Sequence, residues 1–218
     1  MARGLRRFHQ SGQSHFLTFS CYRRRPNLTS ADTYDLFVQC LEDMRRRFAM
    51  CIYGYVVMPE HVHLLVNEPE RATLADAMHF LKLSFAKRLR SRRRAIESSS
   101  FWQKRYYDRN LRDEQEFTIT LRCLHRNPVK RGLVKEPADW KWSSFRHYAL
   151  RQPGIVEIES AWTATDRESK TKGRPEYSST QVSVQRTDAN LGHRAFAPHP
   201  STYGTPFAFY SSTETFPF

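Results

Sequence analysis

Residues 51–66, CIYGYVVMPEHVHLLV, carry the pattern that decides the fold. Two runs rich in aromatic and β-branched residues, Cys51 to Val57 and His61 to Val66, are separated only by Met58, Pro59 and Glu60. A connection this short predicts two antiparallel strands joined in a tight hairpin. The other predicted elements are arranged around this hairpin.

Two histidines on the second strand of the hairpin are the first candidate functional residues. Side chains alternate between the faces of a strand, so His61 and His63 are expected on one face and Val62, Leu64 and Val66 on the other. Two imidazoles one strand repeat apart suit neighbouring coordination positions of one divalent metal ion. Two histidines without partners at the centre of a sheet would be costly. The alternatives are an uncommitted surface pair and a structural zinc site that adds a cysteine such as Cys51.

Five further elements are predicted from hydrophobic spacing and from helix start and stop signals. They are a strand from His15 to Tyr22, a helix from Ser30 to Arg47, a helix from Thr73 to about Arg94, a strand from Phe101 to Tyr107, and a helix from about Asp113 that ends close to Asn127. The complete order is strand, helix, strand, strand, helix, strand, helix. It predicts an α+β fold of the ferredoxin-like, or split βαβ, type, in which helices cover one face of an antiparallel sheet.

The composition favours a polyanionic partner. The 218 residues include 35 Lys and Arg against 22 Asp and Glu, which gives a formal net charge of +13 and attracts nucleic acid. No apolar run is long enough to cross a bilayer, so no membrane span is expected. The four cysteines lack the CxxC spacing of a zinc knuckle and fit a reduced cytoplasm better than a disulfide scaffold. General solubility is the alternative explanation of the charge.

Positive charge is concentrated near the end of the second predicted helix. Seven basic residues and no acidic one lie between Lys82 and Arg94. A solvated helix end is one explanation, and contact with a DNA backbone is the other. A further basic run, Arg23 to Arg25, follows the first strand. The candidate DNA-binding residues of the helix are Arg88, Arg90, Arg92, Arg93 and Arg94.

The C-terminal part of the chain changes character. Residues 171–218 contain three residues of the Ile, Leu or Val type and are rich in Ser, Thr and Pro. Such a segment buries too little apolar surface to offset the conformational entropy lost on ordering. The sequence therefore predicts one domain over residues 1–165 and a disordered tail over residues 166–218.

Four blocks of the sequence resemble the HUH endonucleases, and specifically the REP-associated tyrosine transposases of bacteria. The blocks are His61 to His63, Phe101 to Lys104, Asn127 to Val134 and Asp139 to Phe145, in the order found in that family. The resemblance covers roughly residues 5–165. It implies a protein of the bacterial cytoplasm, associated with the nucleoid, that binds single-stranded or hairpin DNA. The oligomeric state stays open, with a homodimer among the alternatives.

The resemblance also implies a reaction. In the family, a tyrosine on a helix attacks a DNA phosphodiester and leaves a 5′-phosphotyrosine link and a free 3′-hydroxyl, while Mg²⁺ or Mn²⁺ polarises the phosphate. The third metal ligand of the family lies one helical turn after that tyrosine, and the matching residue in this sequence is Asn127. The metal ligands that the resemblance implies are therefore His61, His63 and Asn127.

One residue departs from the family pattern. Four residues before Asn127, where the family has its tyrosine, this sequence has Cys123. The i, i+4 spacing keeps Cys123 on the helix face of Asn127, but the cysteine side chain is several ångströms shorter than that of tyrosine. Three outcomes stay open: a hairpin-binding protein that has lost cleavage, cleavage by another tyrosine such as Tyr106 or Tyr107, and attack by Cys123 itself.

Overall fold

The computed structural model describes residues 13–93 and 100–172. Within these ranges the elements are β1 (His15–Ser20), α1 (Ala31–Phe48), β2 (Ile52–Val57), β3 (His61–Val66), α2 (Leu74–Arg93), β4 (Tyr107–Asn110), α3 (Glu114–Lys130), α4 (Phe145–Leu150) and α5 (Ala161–Lys172). The order of the first six confirms the predicted ferredoxin-like α+β fold. None of the described helices is long and apolar enough to cross a membrane.

Four antiparallel strands form one sheet in the order β2-β3-β1-β4. β1 pairs with β3 so that Thr18 is opposite His63 and Ser20 is opposite His61. On its other side β1 pairs with β4, where Thr18 is opposite Tyr107. This register decides which side chains can meet around the two histidines.

Different helices cover the two faces of the sheet. α1 and α2 pack on one face, and the aromatic cluster between them and the sheet consists of Phe19, Phe37, Phe85 and Trp102. The predicted placement of helices on one face therefore holds for α1 and α2. α3 packs on the opposite face, which carries His61 and His63.

α3 approaches β2 closely because Gly54 has no side chain. A Cβ atom at this position would lie 2.6 Å from Cδ1 of Leu121. The neighbouring ring of Tyr53 contacts Phe117 with 5.4 Å between the ring centroids. The apolar side of α3 is thus fixed on β2, at the edge of the sheet next to the histidine strand.

The helix starts follow the signals in the sequence. The Ser30 hydroxyl caps α1 by accepting the backbone N–H of Thr33 at 3.3 Å, as predicted. The end of α3 differs from the prediction, because the helix continues through Pro128 to Lys130. Pro128 removes its own N–H from the helix, but the bond that closes the last turn, from the N–H of Arg131 to the carbonyl of Asn127, is intact at 3.0 Å.

The strand predicted from Phe101 to Tyr107 is wrong in position, since β4 begins only at Tyr107. Trp102 turns into the core, and a single bridge to Cys21 is the only sheet pairing described for residues 100–106. The Lys82 ammonium group donates to the carbonyl of Gln103 at 2.7 Å. This carbonyl is occupied by a lysine and cannot pair with a neighbouring strand. Regular pairing with β1 begins only at Tyr107.

The domain boundary predicted at residue 165 falls inside α5, which continues to Lys172. Trp162 of α5 stacks on His147 of α4 with 4.6 Å between ring centroids, so α5 packs on the preceding helix. The remainder of the tail that was predicted to be disordered, residues 173–218, lies outside the described residues.

Candidate active site

His61 and His63 lie side by side on β3 with their Nε2 atoms 3.0 Å apart. Their side chains are largely buried, with 9% and 3% of the residue surface exposed. Strand alternation puts both on the face that α3 covers, while the aliphatic residues of β3 on the other face belong to the core. Two imidazole nitrogens that converge in this way can chelate one metal ion.

Each histidine ring is held at its second nitrogen. Nδ1 of His63 lies 2.7 Å from the hydroxyl of Thr18, and Phe16 stacks on the same ring at 5.3 Å between centroids. Nδ1 of His61 lies 3.2 Å from Oε1 of Glu60. Because a carboxylate only accepts, the neutral His61 donates its Nδ1–H to Glu60 and keeps the lone pair on Nε2. Partners of this kind orient imidazoles that bind metals.

Burial keeps the two imidazoles neutral. Desolvation lowers the pKa of His61 below its ordinary value, although the Glu60 carboxylate acts in the opposite direction. Desolvation, together with the neighbouring His61, brings the pKa of His63 well below its ordinary value. The neutral imidazole is the form that binds a metal, so the pair does not have to lose a proton before it can act as a ligand.

The donor atoms fit a divalent ion whose other ligands are oxygens. Among residues 13–93 and 100–172, no group of three His, Cys, Asp or Glu side chains could hold a metal ion. The histidines therefore supply two nitrogens, and an amide oxygen such as that of Asn127, water and phosphate oxygens would complete the set. The structural zinc alternative with Cys51 is wrong, because Cys51 precedes β2 at the opposite end of the hairpin from His61.

One side of α3 faces away from β2 and towards β4. Glu116 and Thr120 on this side contact the guanidinium group of Arg109, at 3.2 Å and 3.3 Å. Cys123 and Asn127 follow on the same side at helical spacing. Asn127 is buried and Cys123 is half-buried. The two residues predicted on α3 therefore share the helix side that borders β1 and β4.

The C-terminal end of α3 is tied to the histidine hairpin. Arg131, the residue after the helix, forms an ion pair with Glu60, which in turn contacts His61. Asn127 lies one turn before Arg131. The structure thus brings the four predicted site residues to one face of the sheet. His61 and His63 are in direct contact, and Asn127 and Cys123 lie on the helix that covers this face.

Two arginines that the sequence did not assign to the site lie beside it. The positive charges of Arg131 and Arg24 both lower the pKa of His61, by less than burial does. Arg24 is exposed in the turn after β1, with a left-handed φ of 53°. The basic run from Arg23 to Arg25 was a signal for Arg24, but only the fold could reveal Arg131.

The candidate DNA-binding arginines of α2 differ in their surroundings. Arg88 forms an ion pair with Asp43 at 2.7 Å. Arg90 and Arg92 are exposed. Arg93 is the last residue of α2, and Arg94 lies outside the described residues.

The basic end of α2 lies at the end of the sheet that carries His61. Phe85 packs on Phe101, whose carbonyl accepts the N–H of Tyr22 just after β1. β1 ends at Ser20, which is opposite His61. The part of α2 after Phe85 therefore extends past this end of the sheet.

Comparisons with known proteins identify relatives of this chain. The model of the family described as IS200-like transposases matches residues 9–120. The chain is 27% identical over 162 residues to a REP-associated tyrosine transposase of Escherichia coli K12, covering 74% of this chain and 92% of that protein. It is 32% identical over 97 residues to a second such protein, from Haemophilus influenzae, covering 41% and 55%.

Among solved structures, the fold resembles a REP-associated tyrosine transposase bound to a REP hairpin. The TM-score is 0.57, the identity is 22%, and the match covers 72% of this chain and 92% of that one. At this identity the likeness concerns the fold. The match of the family model ends at residue 120, just before Cys123 and Asn127.

Proposed function

Because the chain belongs to the family of IS200-like transposases, we propose that it binds hairpin-forming single-stranded DNA and acts on one phosphodiester beside His61 and His63. The observation that carries the proposal is the convergence of the two Nε2 atoms, 3.0 Å apart, on the face that α3 covers. Exposed arginines at the His61 end of the sheet match the negative charge of a DNA strand.

In this proposal a divalent metal ion, Mg²⁺ or Mn²⁺, supplies Lewis-acid polarisation of the phosphate. His61 and His63 would hold it through Nε2, and the amide oxygen of Asn127 would be the third protein ligand. Thr18 and Glu60 hold the rings in place through the Nδ1 atoms.

Arg24 and Arg131 are the proposed contacts to the phosphates next to the reacting one. Their charges already act on His61, and a guanidinium group can donate two parallel hydrogen bonds to a phosphate. Glu60 supports Arg131 through their ion pair. We propose the exposed Arg90 and Arg92 of α2 as contacts to DNA farther along the strand.

A second candidate function is hairpin binding without cleavage. The observation that favours it is Cys123 at the position where the family has its tyrosine. Displacement at phosphorus needs the attacking atom in line with the leaving oxygen, and a misplacement of about 1 Å already costs roughly 100-fold in rate. The two candidate functions share the metal site and the DNA surface, and they differ in whether a covalent adduct forms.

Two titrations test the metal site and the DNA surface that both candidate functions share. Calorimetry should detect Mn²⁺ binding to the wild type and its loss in the double variant His61→Ala, His63→Ala. Fluorescence anisotropy with a labelled hairpin should give similar affinities for both proteins, because phosphate contacts elsewhere supply most of the binding. His79→Ala, an exposed position on α2, is the matched control. Unchanged Mn²⁺ binding in the double variant would overturn the metal site, and absence of hairpin binding by the wild type would overturn the DNA proposal.

A further inference from the structure

We propose that Tyr107 of β4 supplies the phenolic oxygen that attacks DNA phosphorus in this chain, in place of the residue at position 123. The inference rests on the proposed function. The face, the level and the exposure of Tyr107 support this role.

Strand alternation places Tyr107 on the face of the histidines. Asp108, the next residue, bonds to His15 at 2.8 Å on the opposite face, where its neighbours in β1 pack under α1 and α2. Arg109 returns to the first face and contacts Glu116 and Thr120 of α3. Tyr107 is two residues before Arg109 on the same strand and therefore shares its face.

The sheet register puts Tyr107 at the level of the metal-binding histidine. Tyr107 is directly opposite Thr18, and Thr18 is directly opposite His63, to which it is hydrogen-bonded. Neighbouring strands lie about 4.8 Å apart, so the backbones of Tyr107 and His63 are about 10 Å apart across β1. Side chains stand roughly perpendicular to a sheet, so the phenol and the imidazole rise from the same face, and the phosphate would lie between them.

Cys123 of α3 lies near the same level of the sheet as Tyr107. Thr120 contacts Arg109, one strand repeat away from Tyr107, and Cys123 follows Thr120 by about one helical turn along α3. Position 123 on α3 and Tyr107 on β4 therefore both border β1 near the level of Thr18. A phenol from β4 can approach the phosphate that a tyrosine at position 123 would approach from α3.

Tyr107 is exposed and its hydroxyl is available. It is 43% exposed, and no hydrogen bond reaches its hydroxyl from residues 13–93 or 100–172. Tyr106 is different. Its ring is half-buried, lies 6.0 Å from the Lys82 ammonium of α2, and belongs to the side of the sheet away from the histidines. Of the two adjacent tyrosines, the geometry assigns the reaction to Tyr107.

The step is a transesterification that needs no oxidant, reductant or further reactant. The phenolic oxygen of Tyr107 forms a bond to phosphorus and loses its proton to solvent. The bond between phosphorus and the 3′-oxygen breaks, and that oxygen takes up a proton. The products are a 5′-phosphotyrosine at position 107 and a free 3′-hydroxyl, so one phosphodiester replaces another.

The test uses the full chain, a hairpin with a single-stranded extension labelled at its 3′ end, and Mn²⁺. A denaturing gel detects the covalent adduct, and proteolysis followed by mass spectrometry identifies the modified residue. We expect the adduct on Tyr107, its loss by at least about 100-fold in Tyr107→Phe, and no change in the control variant Tyr106→Phe.

The other outcomes overturn the inference in distinguishable ways. An adduct on Cys123 or on another tyrosine assigns the nucleophile elsewhere. A wild type that binds Mn²⁺ and the hairpin but forms no adduct removes Tyr107 as nucleophile and leaves hairpin binding as the function. A Tyr107→Phe variant that loses hairpin affinity and adduct in equal proportion shows a role in DNA contact instead. A wild type that binds neither Mn²⁺ nor hairpin removes the proposed function as well.

Discussion

The hydroxyl of Thr18 on β1 lies 2.7 Å from Nδ1 of His63 on β3, a residue 45 positions away in sequence. This contact holds the ring so that Nε2 faces Nε2 of His61. A side chain of β1 thereby decides the direction of the His63 ring on β3. Outer partners of this kind change metal affinity when they are removed, without altering the ligands themselves.

Removing the Thr18 hydroxyl should weaken metal binding and leave DNA binding intact. Thr18→Val keeps the shape of the side chain and removes its bond to His63, so we expect Mn²⁺ affinity to fall by about tenfold or more. Calorimetric titration with Mn²⁺ measures the effect, and Thr29→Val, at an exposed position before α1, is the control. Equal Mn²⁺ affinities for Thr18→Val and wild type would show that the ring does not depend on this contact.

A tyrosine at position 123 should act as a nucleophile from α3. Cys123 is half-buried on the side of α3 that borders β1 and β4, so the larger ring is expected to fit, and overpacking would cost about 1–3 kcal/mol. In the double variant Cys123→Tyr, Tyr107→Phe, the DNA adduct should map to residue 123 by mass spectrometry. A folded, hairpin-binding double variant without any adduct would contradict the placement of position 123 at the reacting phosphate.

The free energy of unfolding should depend on pH through His15. Its ring lies between Asp108 at 2.8 Å and Glu68 at 3.2 Å. Burial lowers the pKa of His15, but the hydrogen bonds and charges of the two carboxylates together outweigh burial and raise the pKa above 6.5. The protonated ring therefore adds stability that is complete below pH 6.5, the value for the unfolded chain, and that is lost as pH rises through the raised pKa of the folded state.

Urea denaturation of wild type and His15→Gln over a series of pH values measures this contribution. The advantage of the wild type should be largest at acidic pH and should shrink as the pH rises. His79→Gln, at an exposed position on α2, serves as the control. An advantage of the wild type that grows with pH would mean that His15 is neutral in the folded protein.

The exposed arginines of α2 should determine part of the salt dependence of hairpin binding. Each lost phosphate contact reduces the slope of log affinity against log salt by about 0.7 on single strands, so Arg90→Gln, Arg92→Gln should lower it by about 1.4. Arg88→Gln is the matched control, because its charge is paired with Asp43. Fluorescence anisotropy over a range of salt concentrations measures the slopes. A larger change with Arg88→Gln than with the double variant would reverse the assignment.

The packing of α3 on β2 should be sensitive to one methyl group. Gly54→Ala places a Cβ atom 2.6 Å from Cδ1 of Leu121, and we expect a loss of about 1–3 kcal/mol in the free energy of unfolding. Gly154→Ala, whose new Cβ meets nothing closer than 4.0 Å, is the control. Chemical denaturation compares the two. A stable Gly54→Ala variant with unchanged hairpin and Mn²⁺ binding would show that α3 can shift without disturbing the site.

The sequence by itself determined the elements and their order. The period-two pattern of β3 placed His61 and His63 on one face, and the capping signal at Ser30 began α1, because these are local properties of neighbouring residues. The order of six such elements was enough to predict the ferredoxin-like sheet. The family blocks added Asn127 and position 123, which lie one helical turn apart whatever the rest of the fold does.

Only the tertiary structure decided what surrounds the histidines. Strand register and helix packing bring Thr18, Arg131 and Tyr107 to the face of the histidines, and both depend on contacts between residues far apart in sequence. The same physics explains the misplaced fourth strand, where the burial of Trp102 and the bond from Lys82 to Gln103 outweigh a local preference for extended chain. It also explains why α3 lies on the histidine face, since the gap at Gly54 admits Leu121 there. A one-residue slip of β4 against β1 would move Tyr107 to the other face of the sheet, and no local pattern fixes that register.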